Sequence, residues 1–331
     1  MNPVRLALVG AGQIAQSYAQ VFGTSDSVEI VGVADVNLES AERIASDLGC
    51  RAFPGHLELV DGAGAEAVVL CTPPNTHHPI AIDLLGSGLH VMCEKPLALT
   101  LDEAVEMLAR ADAAGLTLTM ASKFRYVDEV IEARRISASG ALGDVILLEN
   151  TFASRVDMTQ RWNSNTEISG GGVLIDNGTH SVDIVRYFVG PISDVLALEG
   201  RRAQEVLVED TAQVFLRSES GVRATIDLSW SLNKERDWFL EIYGSEGTVQ
   251  VGWGSSRYRL QGSDGWTVFG KGYDKYQAIR DQVTNFANAI RGEEALVISG
   301  LDALASVEVI DAAYRSLRHD DWVKVAPSII S

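Results

Sequence analysis

Over residues 5–9 the chain is apolar at nearly every position, then breaks into Gly10, Ala11, Gly12, Gln13, Ile14, Ala15 and turns amphipathic with helical period. That pattern predicts a strand, a glycine turn and a helix. Further apolar runs at 28–35, 67–71, 90–93 and 117–120 predict four more strands, with helical stretches at 79–87 and 101–114 between the later ones. Thr100 followed by Glu103 is a capping box for the second of these helices. Strands alternating with helices imply a parallel sheet built by right-handed crossovers.

After Ser122 the pattern changes. From Asp144 onward the apolar stretches lengthen and alternate with polar positions, as in Thr225, Ile226, Asp227, Leu228, Ser229, Trp230. Turn residues such as Ser220, Gly221 and Ser245, Glu246, Gly247 separate them, which predicts an antiparallel sheet. Helical regions at 273–291 and 300–317 close the chain. The expected class is α/β, with a dinucleotide-binding Rossmann domain over 1–122. An α+β domain for substrate binding and oligomerisation, built on a large, mainly antiparallel open sheet, is expected over 123–331.

The glycine turn adds chemistry to this outline. Gly10 permits the tight turn, Gly12 lets backbone approach a pyrophosphate over the helix N-terminus, and Ala15 allows close helix–strand packing. The second strand ends in Asp35, at the place where such units put the acid that reads ribose hydroxyls. A carboxylate there repels a 2′-phosphate, and Val36 and Asn37 bring no cation beside it. NAD is therefore expected ahead of NADP, with Arg43 and Arg51 the cations best placed to overturn that preference. The competing reading is that Asp35 only begins the turn before a helix capped by Asn37.

Composition narrows the function classes. The 331 residues, 46% hydrophobic and 22% charged, suffice for more than one core. A formal net charge of −18 argues against nucleic acid and anionic membrane as partners and favours a small molecule. No apolar run spans a bilayer, and the first strand follows the start too closely for a signal peptide. Cys50, Cys71 and Cys93 lie far apart, without metal spacing, and suit the reducing cytoplasm.

Two segments carry candidate catalysis. Strands three and four end in Thr72, Pro73, Pro74, Asn75, Thr76, His77 and in Glu94, Lys95, Pro96, at the carboxyl edge where open α/β sheets bind ligands. Lys95 there is either a nicotinamide-side cation or a surface lysine paired with Glu94. His77 and His78 lack an orienting carboxylate at suitable spacing and read as helix-start residues. Further on, Gly170, Gly171, Gly172 lead into a stretch in which Asp176, His180 and Asp183 share one helical face. A carboxylate-flanked imidazole suits a general base. The same spacing admits a polar stripe or two zinc ligands, but no third or fourth ligand accompanies them, so no metal is expected.

Taken together, Gly10 to Ala15, Asp35, the Thr72 to His77 loop, Glu94-Lys95-Pro96 and the Gly171-Gly172 to His180 segment resemble the glucose-fructose oxidoreductase, inositol dehydrogenase and rhizopine-catabolism (Gfo/Idh/MocA) family. The resemblance covers essentially the whole chain, and the stretch Gly244 to Thr248 resembles a recurrent turn of that family's second domain. It implies a nicotinamide-dependent dehydrogenase or reductase acting on a sugar, inositol or related polyol. Lys95 matches the active-site lysine, His180 the acid/base and Asp176 its accompanying acid. The implied cofactor residues are Gly10, Gly12, Gln13, Ile14, Asp35, Thr72, Pro73, Asn75, His77, Glu94, Lys95 and Trp162. Arg125 and Asn163 join Lys95, Asp176 and His180 at the substrate. Lysine as immediate base, with histidine relaying the proton, stays open, as does a non-catalytic dinucleotide or sugar sensor of the same fold. Finally, Trp230, Trp238, Phe239, Tyr243 and Trp253 are more apolar surface than a solvated sheet displays, which predicts a homodimer or homotetramer through the open sheet face.

Overall fold

A computed structural model describes residues 2–23 and 25–326; Met1 and residues 327–331, the outer ends of the two expected domains, lie outside the described residues. The chain divides into two compact units. The first runs to Tyr126 and takes back Lys275–Leu304, and the second holds Val127–Asp274 and the described residues from Ala305 to 326.

The first unit alternates β1 (Val4–Val9), α1 (Gln13–Phe22), β2 (Val28–Ala34), α2 (Leu38–Leu48), β3 (Arg51–Phe53), α3 (His56–Ala63), β4 (Ala67–Leu70), α4 (His77–Gly86), β5 (His90–Glu94), α5 (Leu101–Ala114) and β6 (Leu118–Ala121). The six strands form a parallel sheet in the order β3-β2-β1-β4-β5-β6. β1 and β4 are neighbours although α1, β2, α2, β3 and α3 lie between them in the chain, so the chain reverses direction across the sheet between them. Ligands of open sheets sit at that switch point, beyond the strands' carboxyl ends. The central strands are mostly apolar, β4 entirely so, because helices cover both faces, and the charged positions Arg5, Glu29 and Glu94 lie toward strand ends. Leu6 and Leu8, fully buried, pack with Tyr18, Val21 and Phe22 of α1, and each contributes roughly 1.5–3 kcal/mol.

The second unit begins with α6 (Asp128–Ala138) and β7 (Val145–Ala153). It continues through a single-turn α7 (Thr166–Ser169) into α8 (Val173–Val189). Strands β8 (Ile192–Glu199), β9 (Thr211–Ser218), β10 (Arg223–Ser229), β11 (Trp238–Gly244), β12 (Gly247–Gly252), β13 (Ser256–Leu260) and β14 (Thr267–Phe269) follow. The chain then runs into α9 (Lys275–Ile290), α10 (Gly300–His319) and β15 (Val323–Lys324). The second sheet has the order β14-β13-β12-β11-β7-β10-β9-β8-β15, antiparallel at every step except β7 with β10. That one parallel pair arises because the chain leaves β7, passes through α8, and re-enters the sheet by the β8–β9 hairpin.

Alternation sorts the two faces of this sheet. Ala212, Val214, Leu216, Ala224, Ile226 and Leu228 are buried on one face. The opposite face carries polar ladders: Gln213 donates to Asp227, which also accepts from Lys234, and Gln250 joins Glu241 to Arg257. Of the aromatic residues expected on that open face, Tyr243 donates to Glu241 of the polar ladder and Trp253 is 44% exposed, but two are placed differently. Trp230 and Phe239 are buried, Phe239 stacking with Phe152 at 5.9 Å between ring centroids and with Trp253 at 4.7 Å. Trp238 lies under the Arg257 guanidinium. Hydrophobic burial pulled Trp230 and Phe239 inward, because a mixed sheet this wide has a core of its own to fill.

The domain boundary also shifts. The first unit runs on through Tyr126, whose hydroxyl donates to Asn285, and recruits α9, whose Ile279, Val283, Phe286 and Ala287 complete the core against α1. The expected single cut near Ser122 misses this return, because a helix's apolar stripe does not disclose which sheet it covers.

Candidate active site

In the first unit the glycine turn is a tight corner at the open N-terminus of α1. Gly10 has φ +98°, and a Cβ there would lie 2.7–2.8 Å from the backbone of Cys71 and Thr72, so side chains are excluded where β1 and β4 diverge. Gly12 faces open space, and the first residue of α1, Gln13, is exposed, leaving the helix N-terminus approachable. Ile14 packs onto the core behind the turn.

Asp35 is fixed by two backbone donors: Ala11 N–H to Oδ2 at 2.7 Å and Asn37 N–H to Oδ1 at 2.8 Å. The carboxylate thus ties the glycine turn to the start of α2, while Asn37 caps that helix through Ser40 N–H. The turn-forming contacts of Asp35 and the Asn37 cap are both present, and each Asp35 oxygen retains acceptor capacity. Val36, beside it, is 96% exposed. Neither suspected cation is idle: Arg51 donates to the Gly62 carbonyl and lies over the Phe53 ring, and Arg43 donates to Ser40.

The loops after β4 and β5 are locked to each other. His77 is fully buried, with Nδ1 2.8 Å from the Pro96 carbonyl oxygen and Nε2 2.9 Å from that of Thr72. Burial lowers its pKa against the opposing pull of the two carbonyls, and the ring bridges the two loops. Its expected place among cofactor-touching side chains is thereby corrected to a supporting one. His78 pairs with Glu106 at the surface. The Thr76 hydroxyl lies within hydrogen-bonding distance of Thr72 Oγ1 and the Pro73 carbonyl, which closes the turn and leaves Pro73 and Asn75 exposed at its tip.

Glu94 ends β5 with both oxygens engaged: Tyr18 OH donates to Oε1 at 2.8 Å and Lys95 N–H to Oε2 at 3.2 Å. Tyr18 accepts in turn from Gln282 of α9. The backbone of Lys95 is therefore held before by Glu94 and after by the Pro96–His77 contact, with a cis peptide between Lys95 and Pro96. Arg125 is placed otherwise than expected. Its guanidinium is buried, donating to the Val297 carbonyl and pairing with Asp302 at 3.4 Å, both brought in by the returning segment. A guanidinium committed to those partners braces the first unit.

In the second unit the second candidate segment is α8. Gly178 faces the sheet, where a Cβ would meet Leu228 at 3.1 Å and Ile310 at 3.5 Å. Asp176, His180 and Asp183 lie about half a turn round the helix from Gly178, on a common stripe. Asp176 is half-buried, and His180 and Asp183 are buried. Trp162 is 45% exposed on a 3-10 turn (Trp162–Ser164), with Asn163 half-buried beside it. Trp162 is thus surface, not core. Among the described residues no group of three or more His, Cys, Asp or Glu is arranged to hold a metal ion, and no helix is long and apolar enough to cross a membrane.

Comparison with known proteins places the chain. Residues 4–122 match the model of the oxidoreductase family with NAD-binding Rossmann fold, and residues 130–250 match the GFO/IDH/MocA C-terminal domain. Inositol 2-dehydrogenase of Rhizobium meliloti (strain 1021) is 26% identical, over 98% of this chain and 99% of its own. Among solved structures, GenD2 from gentamicin A biosynthesis, in complex with NAD, superposes with a TM-score of 0.87 at 26% identity, over 98% of this chain and 97% of its own. Levoglucosan dehydrogenase, in complex with NADH and levoglucosan, shares the fold with a TM-score of 0.91 at 21% identity, over 98% of this chain and all of its own.

Proposed function

The chain belongs to the Gfo/Idh/MocA family of oxidoreductases, and from that premise we propose an NAD-dependent dehydrogenase that oxidises a carbinol carbon of a sugar, inositol or related polyol. The observation that carries the reading is the pairing of features in one chain: a Lys95 whose backbone is clamped on both sides, and a helix that aligns Asp176, His180 and Asp183. Bound NAD supplies a hydride acceptor. As hydride leaves carbon, the hydroxyl must lose its proton and its oxygen gains negative charge. In this reading Lys95 donates to that oxygen, His180 takes the proton, and Asp176 orients the imidazole or an adjacent hydroxyl. Relatives that act on inositol or bind levoglucosan support the substrate class. Following NAD reduction across inositols, aldoses, levoglucosan and sugar acids tests it. Turnover with one of these is expected; binding of NAD or a sugar with no turnover on the whole panel would favour a sensor instead.

NAD is proposed ahead of NADP because the Asp35 carboxylate is fixed by Ala11 and Asn37 where a 2′-phosphate would meet it. Replacing Asp35 by Ser is expected to narrow the preference about tenfold, the worth of one such repulsion. Equal dissociation constants for both cofactors in the unmodified protein would sink the assignment.

A homodimer or homotetramer through the open face of the second sheet is also proposed. The support is now Leu196, Leu198 and Phe215 on that face, lying among its polar ladders. Light scattering at micromolar concentration should give a multiple of the monomer mass, and a monomeric mass refutes it. The three cysteines are all free, two of them buried, which supports a reducing cytoplasmic setting.

A further inference from the structure

The helix that carries His180 has no local cap: its N-cap is Gly172, which offers no side chain. Four orphan N–H groups open any α-helix. Here a residue from the far side of the α8–β8 excursion takes three in succession. Glu209, just before β9, accepts Gly172 N–H at 2.9 Å and Leu174 N–H at 3.1 Å on Oε1, and Val173 N–H at 2.9 Å on its backbone carbonyl. The same Oε1 accepts from Tyr314 OH of α10 at 2.8 Å. Burial pushes the Glu209 carboxyl up in pKa, and these hydrogen bonds oppose it.

The glycines fit the same contact. A Cβ on Gly171 would overlap the Tyr314 hydroxyl, and one on Gly172 would overlap the Glu209 backbone oxygen. The double glycine is thus the imprint of a tertiary clamp, and the motif's spacing to His180 measures the distance from that clamp to the imidazole. Rotation of α8 by one residue would carry Asp176 and His180 about 100° away from their stripe.

We infer that Glu209 and Tyr314 are positioning residues for the proposed acid/base, fixing the axial and rotational setting of α8 through its first turn. This rests on the catalytic reading of His180 given above. A carboxylate and a phenol buried solely for stability would be costly beside apolar packing, whereas three N–H groups and a hydroxyl converging on one residue define a single register.

The test compares Glu209→Ala, Glu209→Gln, Tyr314→Phe and His180→Asn, with amide hydrogen exchange over 172–174, NAD titration, and turnover on levoglucosan and myo-inositol. Glu209→Ala is expected to accelerate exchange over 172–174 and lower kcat roughly tenfold to a hundredfold, with NAD affinity unchanged and a larger isotope effect from carbon-deuterated sugar. Glu209→Gln keeps an acceptor oxygen and should restore kcat to within about threefold. Wild-type kcat and isotope effect in Glu209→Ala, even with lowered melting temperature, would overturn the inference. Should Glu209→Ala not fold, Tyr314→Phe decides, since it removes one hydroxyl and adds no bulk. Faster exchange with kcat down about threefold upholds the clamp, and unchanged values for both reject it. Full turnover in His180→Asn would instead overturn the catalytic reading itself.

Discussion

His180→Asn is expected to lower turnover by roughly a hundredfold or more while leaving NAD affinity within about twofold. Asparagine keeps a polar side chain but cannot accept and return a proton near neutral pH, so the loss falls on kcat. The fold should survive, because α8 is held by contacts that do not involve the imidazole. Its first turn is taken by Glu209, and Gly178 lets it lie against Leu228 and Ile310. Apart from Trp162, the residues proposed to hold the dinucleotide belong to the first unit, which explains why cofactor binding should be spared. Asp176→Asn should be milder, since orientation and charge are lost but a ring remains to take the proton. Steady-state kinetics on a responsive sugar, with NAD titration of the same variants, checks both. Near-normal turnover in His180→Asn would end the acid/base assignment.

The elements of the first unit were legible because each is determined locally. β1, β2, β4, β5 and β6 are apolar runs between turns, and the capping box of α5 forms as its sequence dictates, Thr100 and Glu103 exchanging bonds. The short edge strand β3 escaped notice: Arg51, Ala52 and Phe53 carry too little pattern, and it is defined by pairing with β2. Nor could periodicity disclose that α9 returns to the first unit or that β7 pairs parallel with β10. Those are facts about distant partners, and distance along the chain leaves no local mark.

The candidate site divides along the same line. Asp35 and the glycine turn could be singled out because the strand–turn–helix pattern that frames each is local, although the Ala11 N–H that holds Asp35 comes from 24 residues away. Arg125 and His77 looked like ligand residues in sequence, yet both serve as braces whose partners, Asp302 and Pro96, lie elsewhere in the chain. Glu209 and Tyr314 were missed altogether. Neither stands near a motif, and the signal that could have found them was the double glycine, which asks what fills the space two side chains vacate.

Lys95→Met is expected to lower turnover by roughly a hundredfold, about 2.7 kcal/mol of lost transition-state stabilisation, with little change in NAD affinity. Methionine nearly matches the lysine stem in length and shape, so the substitution removes charge more than volume. Backbone contacts on both sides set the course of the loop. Glu94, steadied by Tyr18 and Gln282, accepts the Lys95 backbone N–H, and His77 contacts the Pro96 carbonyl on the other side. A cation that meets developing charge on the substrate oxygen acts chiefly in the transition state, so kcat should fall more than KM rises. A surface lysine whose role is to pair with a neighbouring carboxylate predicts the opposite: at most about 1 kcal/mol of stability lost and turnover intact. Melting temperature and kcat measured on the same Lys95→Met preparation separate the two, and unchanged kcat would remove Lys95 from the chemistry.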